Sequence, residues 1–111
     1  METIAQELLS LQCNRPYLIT GPQAAYQYHR WLAPLENLIP LQVYAEDVSD
    51  WRQMREAMWQ VFEETPTTSQ IQGVKKAIIL DPTLESERYQ RRWVIEGLTF
   101  IAPEDLCLDL I

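Results

Sequence analysis

The chain has 111 residues, 47% of them hydrophobic and 23% charged, with a formal net charge of −7. These values fit one globular domain that buries roughly two thirds of the surface its unfolded chain exposes, and they exclude a disordered chain. The negative charge disfavours non-specific nucleic-acid binding, since a polyanion is repelled on approach, and it suits a protein that covers a basic partner.

In chain order, Thr3-Ile4-Ala5-Gln6 has the pattern of a capping box. Ile4, Ala5, Leu8, Leu9 and Leu11 then recur at near-helical spacing, and Asn14-Arg15-Pro16 breaks that helix near Gln12. Tyr17-Leu18-Ile19 is a short β-prone run, turned by Thr20-Gly21-Pro22 into a second helix. The apolar face of this helix is Ala24, Ala25, Tyr28, Trp31 and Leu32, and Pro34 ends it.

Leu38 to Ala45 predicts a strand that begins after Pro40, with Leu41, Val43 and Ala45 on one face and Gln42, Tyr44 and Glu46 on the other. Asp47 or Ser49 caps a third helix, whose stripe of Trp51, Met54, Met58, Val61 and Phe62 is the clearest helical period in the chain. A polar loop over Thr65–Ser69 leads to a weak strand at Gln70-Ile71-Gln72. Ala77-Ile78-Ile79-Leu80, bounded by Lys75-Lys76 and Asp81-Pro82, predicts a central strand buried on both faces. Residues 81–86 read as a loop. Arg92–Ile95 and Leu98–Ile101 flank Glu96-Gly97 as a two-residue hairpin. Pro103-Glu104-Asp105 then opens a last helix that lacks a capping Gly or Asn, so a partner or further chain is expected to complete it. The expectation is a single domain over 1–111, with the remainder of a C-terminal helical region missing. Its class is α+β, a mixed β-sheet with packed helices.

No apolar run approaches the roughly 20 residues that a membrane span requires. The acidic start Met1-Glu2-Thr3 is not expected to be a secretory leader, which makes the cytoplasm the expected location. Cys13 and Cys107 match no metal-ligand spacing and are expected to be reduced and partly buried. His29, the only histidine, has no carboxylate at helical spacing and reads as a surface or structural residue.

Catalytic candidates are few. Glu46 and Asp47 are adjacent, so on a regular strand they point to opposite faces; Asp81, at the end of another strand, could approach Glu46. The alternative for these acids is structural, with Asp47 capping a helix and Asp81 forming a turn. The Gly21-Pro22 turn has one glycine and a missing N–H, so it falls short of a phosphate-cradling loop. No metal and no cofactor is expected. The one basic-aromatic cluster is Arg88, Arg91, Arg92 and Trp93. It reads as a guarded edge strand, a protein contact or a nucleic-acid surface. Trp59 lies off the core stripe and marks an interface candidate.

Tyr17-Leu18-Ile19-Thr20-Gly21-Pro22-Gln23-Ala24-Ala25-Tyr26 with Tyr28-His29, and the terminal Gly97-Leu98-Thr99-Phe100-Ile101-Ala102-Pro103-Glu104-Asp105, together carry a resemblance. The chain resembles the nucleotidyltransferase-like domains of AbiEi-type antitoxins, from type IV toxin–antitoxin systems. The resemblance implies a nucleotidyltransferase-like fold and a protein partner such as a toxin or regulator. Active members carry a Gly-Ser or Gly-Gly turn and alternating acids on the following strand. Here the turn is Gly21-Pro22 and the next strand reads Leu41-Gln42-Val43-Tyr44. The implied domain is therefore a non-catalytic interaction module, and a homo-oligomer is compatible with it. The winged helix of those antitoxins has no room before Tyr17, so repressor activity is not expected. Two alternatives stand beside this reading. One is a minimal magnesium-dependent nucleotidyltransferase using Glu46, Asp47 and Asp81. The other is a nucleic-acid-binding module using the Arg88–Trp93 patch.

Overall fold

A computed structural model describes residues 15–29, 38–53, 59–64, 66–74 and 76–109. The expected helix over Thr3–Gln12, Cys13, Trp31, Leu32, Pro34, Met54, Met58 and the chain end at Leu110-Ile111 lie outside the described residues, as do the side chains of Tyr26, Gln27, His29 and Trp59. The described elements are β1 (Tyr17–Ile19), α1 (Gly21–His29), β2 (Leu38–Val43), a 3-10 turn (Ala45–Asp47) and α2 (Val48–Gln53). They continue as β3 (Trp59–Phe62), α3 (Thr68–Ile71), β4 (Lys76–Asp81), α4 (Ser86–Gln90), β5 (Trp93–Ile95), β6 (Leu98–Phe100) and α5 (Pro103–Asp109).

The class is α+β. Six strands form one mixed sheet in the order β3-β4-β2-β1-β6-β5. β3, β4 and β2 run parallel, β1 pairs antiparallel with β2, β6 runs parallel to β1, and β5 closes back on β6 as a hairpin. Glu96 and Gly97 have φ of 51° and 82°. Two consecutive positive angles make a type I′ turn, the connection that matches the twist of paired strands.

Register divides the sheet into two faces. Ile39, Leu41 and Val43 of β2 lie level with Ile78 and Leu80 of β4 on one face, and all are buried. Trp51 of α2 packs there against Tyr17, ring centroids 5.9 Å apart and nearly perpendicular. Among the described residues its buried indole N–H has no hydrogen-bond partner. On the opposite face lie Leu38, Pro40 and Gln42 of β2, level with Ala77, Ile79 and Asp81 of β4. Here Pro40 and Ile79 are only half-buried.

Several expectations change. β2 starts at Leu38 and carries Pro40 within it, where a start after Pro40 was expected. Thr20 N donates to the Pro40 carbonyl at 3.0 Å, so the missing Pro40 N–H also faces β1. It falls at the last rung, where the chain turns off into α1, and costs no interior bond. Ala45 and Glu46 belong to the 3-10 turn, exposed, and Tyr44 at its start makes no side-chain cap. The helical stripe through Val61 and Phe62 is overturned, because these residues form an edge strand paired with Ile78 and Ile79. The strand expected at Gln70–Gln72 is instead the end of a helical turn, fixed by a Thr67–Gln70 capping box. Residues 86–90, read as loop and edge strand, are α4. The run Ala77–Leu80 does lie inside the sheet, and the hairpin and the Pro103 helix start stand where the sequence placed them. Cys107, expected to be partly buried, is exposed. Among the described residues no helix is long and apolar enough to cross a membrane.

α1 is anchored by Tyr28, whose hydroxyl donates to the Ile101 carbonyl. Burial, and after it the nearby Glu104 carboxylate, pushes the phenol pKa from 10.0 up to about 12. The folded chain therefore keeps a proton that the unfolded chain releases. This contribution to stability is complete below pH 10 and is lost as pH rises through about 12. The urea midpoint should fall over that window, and Tyr28→Phe should flatten the fall. An identical pH slope in Tyr28→Phe would contradict this role.

Candidate functional site

Two clefts open on the Leu38-Pro40-Gln42 face and meet at Thr20 and Asp81. Their position follows from the β1–α1 turn. Gly21 begins α1 at φ +63°, a left-handed angle that a side chain resists, and an added Cβ would lie 3.3 Å from Pro40 Cγ. Only glycine lets the chain turn this tightly against β2. Thr20, just before it, is buried, and its side chain lines both clefts.

The first cleft, about 380 Å³, is polar. It is lined by Thr20, Gly21, Gln42, Asp81, Thr83, Arg88, Leu106 and Asp109. Three side chains from three elements close a triangle across its floor. Gln42 Nε2 donates to Asp109 Oδ2 at 3.3 Å, Arg88 Nη1 donates to Gln42 Oε1 at 3.2 Å, and the same nitrogen donates to Asp109 Oδ2 at 3.0 Å. At the rim, Thr83 Oγ1 donates to Asp81 Oδ1 at 2.7 Å.

The second cleft, about 490 Å³, is a mainly apolar groove. Pro22, Leu38, Pro40, Ile79, Leu80 and Pro82 line it, and Glu63, Glu64 and Asp81 stand at its edge. Glu63 is ion-paired with Arg52 on the surface. Among the described residues, no cation pairs with Glu64 or Asp81.

The catalytic candidates have separate surroundings. Glu46 is exposed on the 3-10 turn. Asp47 is buried, with Arg15 Nε 3.9 Å from Oδ1, while the same nitrogen lies 2.9 Å from Asp50. Asp81 is exposed and holds Thr83. Among the described residues, no three His, Cys, Asp or Glu side chains gather as a metal site would require.

The basic cluster is brought together and bonded within the chain, with Arg88 half-buried and Arg91 and Arg92 exposed. Arg91 grips Asp105 with two parallel bonds, Nε to Oδ2 at 3.0 Å and Nη2 to Oδ1 at 2.8 Å. These bonds raise the already high Arg91 pKa further. Arg88 belongs to the Gln42 triangle. Arg92 donates to the Tyr89 carbonyl and lies over the Tyr89 ring at 4.3 Å. Trp93 is 48% exposed and packs edge-on with Tyr28 at 5.4 Å between centroids.

Gln42, Thr83 and Asp109 were not singled out in the sequence. The usable signal was on α5, where Asp105 and Asp109 stand four residues apart and so share one helix face. Arg88 and Arg91, three apart on α4 and its end, match that spacing.

No family model, no curated protein and no solved structure matches the chain.

The triangle gives a measurable consequence. Arg88→Ala should leave the buried Gln42 Oε1 without a donor and cost about 1–3 kcal/mol in urea denaturation. Arg92→Ala, which removes an exposed contact, should cost far less. Equal effects would contradict the assignment.

Proposed function

We propose that this chain is a non-catalytic, cytoplasmic protein-interaction domain of nucleotidyltransferase-like layout, related to antitoxins and defence regulators. Its partner is a toxin-like or regulatory protein that presents a segment of apolar and basic side chains. The observation that carries this reading is the groove: an apolar floor of Pro40 and Ile79 with Glu64 and Asp81 at its edge and no cation beside them among the described residues. Apolar side chains from a partner gain by leaving water there, and Lys or Arg would meet the carboxylates at the rim.

The non-catalytic part rests on Gln42. It lies beside the Gly21 turn, on the strand where the resembling enzymes carry acids, and its amide is bonded to Arg88 and Asp109. The inward bonding of Arg88 and Arg91 argues against the nucleic-acid reading, since those guanidinium groups already have carboxylate partners.

The test is a photo-crosslinking residue at Pro82, which is exposed on the groove wall, used in the native host. The expected product is one protein, crosslinked through a segment rich in Lys or Arg, and lost in Glu64→Lys/Asp81→Lys. A crosslink unchanged by that charge reversal contradicts the groove reading. Calorimetric heat with magnesium and a nucleoside triphosphate, abolished by Asp81→Asn, would replace it with the enzyme.

A further inference from the structure

Among the described residues β5 stands at the end of the sheet, opposite the β3 edge. Edge strands are usually short, charged or covered, because their free N–H and C=O groups template pairing with another chain. β5 is short, only Trp93-Val94-Ile95, and the two exposed arginines before it are bonded within the chain and do not cover it. Arg91 is bonded to Asp105, and Arg92 folds back over Tyr89. Between them and the turn, Trp93 is 48% and Val94 62% exposed, two of the three large exposed hydrophobic residues among those described.

The hairpin fixes which backbone groups face outward. Ile95 and Leu98 flank the two-residue turn, so they form the hydrogen-bonded pair closest to it. Hydrogen-bonded and open pairs alternate along an antiparallel ladder. Val94, level with Thr99, is therefore in an open pair, and its N–H and C=O point away from β6.

From this we infer that a second copy of the chain pairs with β5 across a two-fold axis at Val94. Antiparallel self-pairing there lets the two Val94 residues exchange both N–H···O bonds. It sets Trp93 level with the partner's Ile95. It also brings the Arg92 end of each strand to the Glu96 end of the other. The run Arg92-Trp93-Val94-Ile95-Glu96 is thus self-complementary: basic at one end, apolar in the middle, acidic at the other. A two-fold interface demands such a pattern, because each residue must suit its own mirror position. Parallel pairing would set Arg92 against Arg92. The inference uses a different surface from the groove and does not depend on it. A three-residue pairing is a small contact, so the dimer is weak and reversible.

The test needs only the purified chain. Sedimentation velocity between about 10 µM and 1 mM should show a reversible monomer–dimer equilibrium. With Cys107→Ser and Cys13→Ser in place, Val94→Cys should give a disulfide-linked dimer in oxidised glutathione. Opposed Cα atoms in a hydrogen-bonded pair stand about 5.5 Å apart, within disulfide reach. Gln60→Cys, on the other edge strand, should not crosslink. Val94→Lys keeps the backbone N–H but sets like charges on the axis, and should weaken dimerisation about tenfold or more with an unchanged circular dichroism spectrum. A monomer at every concentration overturns the inference. So does a dimer indifferent to Val94→Lys, or one that crosslinks through position 60 instead of 94.

Discussion

The bidentate bond between Arg91 and Asp105 is the constraint on which the placing of the last two helices depends. α4 has five residues and α5 seven, both far below the length at which a helix persists alone in water. They persist because they are tied to each other and to the sheet. Asp105 is almost fully buried, and a buried carboxylate is tolerated only with partners that satisfy its oxygens. Arg91 satisfies both at once. One helical turn further, the exposed Asp109 takes a single bond from Arg88 and a second from Gln42 on β2. The polar cleft is therefore the by-product of a clamp: two arginines, two aspartates and one glutamine fix where α4 and α5 sit against β2.

That clamp changes how the basic cluster is understood. In sequence, Arg88 to Trp93 looks like a surface for phosphates or bases. In space the guanidinium groups of Arg88 and Arg91 are directed at carboxylates of the same chain, and Arg92 at a carbonyl and a ring. Arg91 and Arg92 stay exposed with these bonds made, beside the exposed apolar surface of Trp93 and Val94. Among the described residues, Glu64 and Asp81 border the apolar groove without a cation partner.

Where one local signal ruled, the sequence was legible. Glu96-Gly97 admits few conformations other than a tight hairpin turn, and Pro103 with two acids behind it can hardly be anything but a helix start. Ala77–Leu80, apolar without interruption, belongs inside a sheet. Legibility failed where tertiary contacts decide between two local options. Val61 and Phe62 continue the spacing of the Trp51 stripe, yet β-branched and aromatic residues serve equally well in a strand, and pairing with β4 settles the matter. Pro40 looked like a strand boundary because its place at the terminal rung beside Thr20 cannot be known without the pairing. Thr67 and Gln70 carry the capping-box spacing that fixes the helical turn at Thr68–Ile71. The site was less legible than the fold. Gln42 is unremarkable in a strand, and its importance arises only when Arg88 and Asp109, 46 and 67 residues away, converge on it.

The central claim is that the arginines of this cluster hold the fold together. A double-mutant cycle on Arg91→Gln and Asp105→Asn, read by urea denaturation, tests it most directly. The account predicts strong non-additivity: each single change destabilises markedly, and the second adds little once the first has been made. Additive small effects would mean that the pair does not bear on the fold, and the outward, ligand-binding reading of these arginines would return.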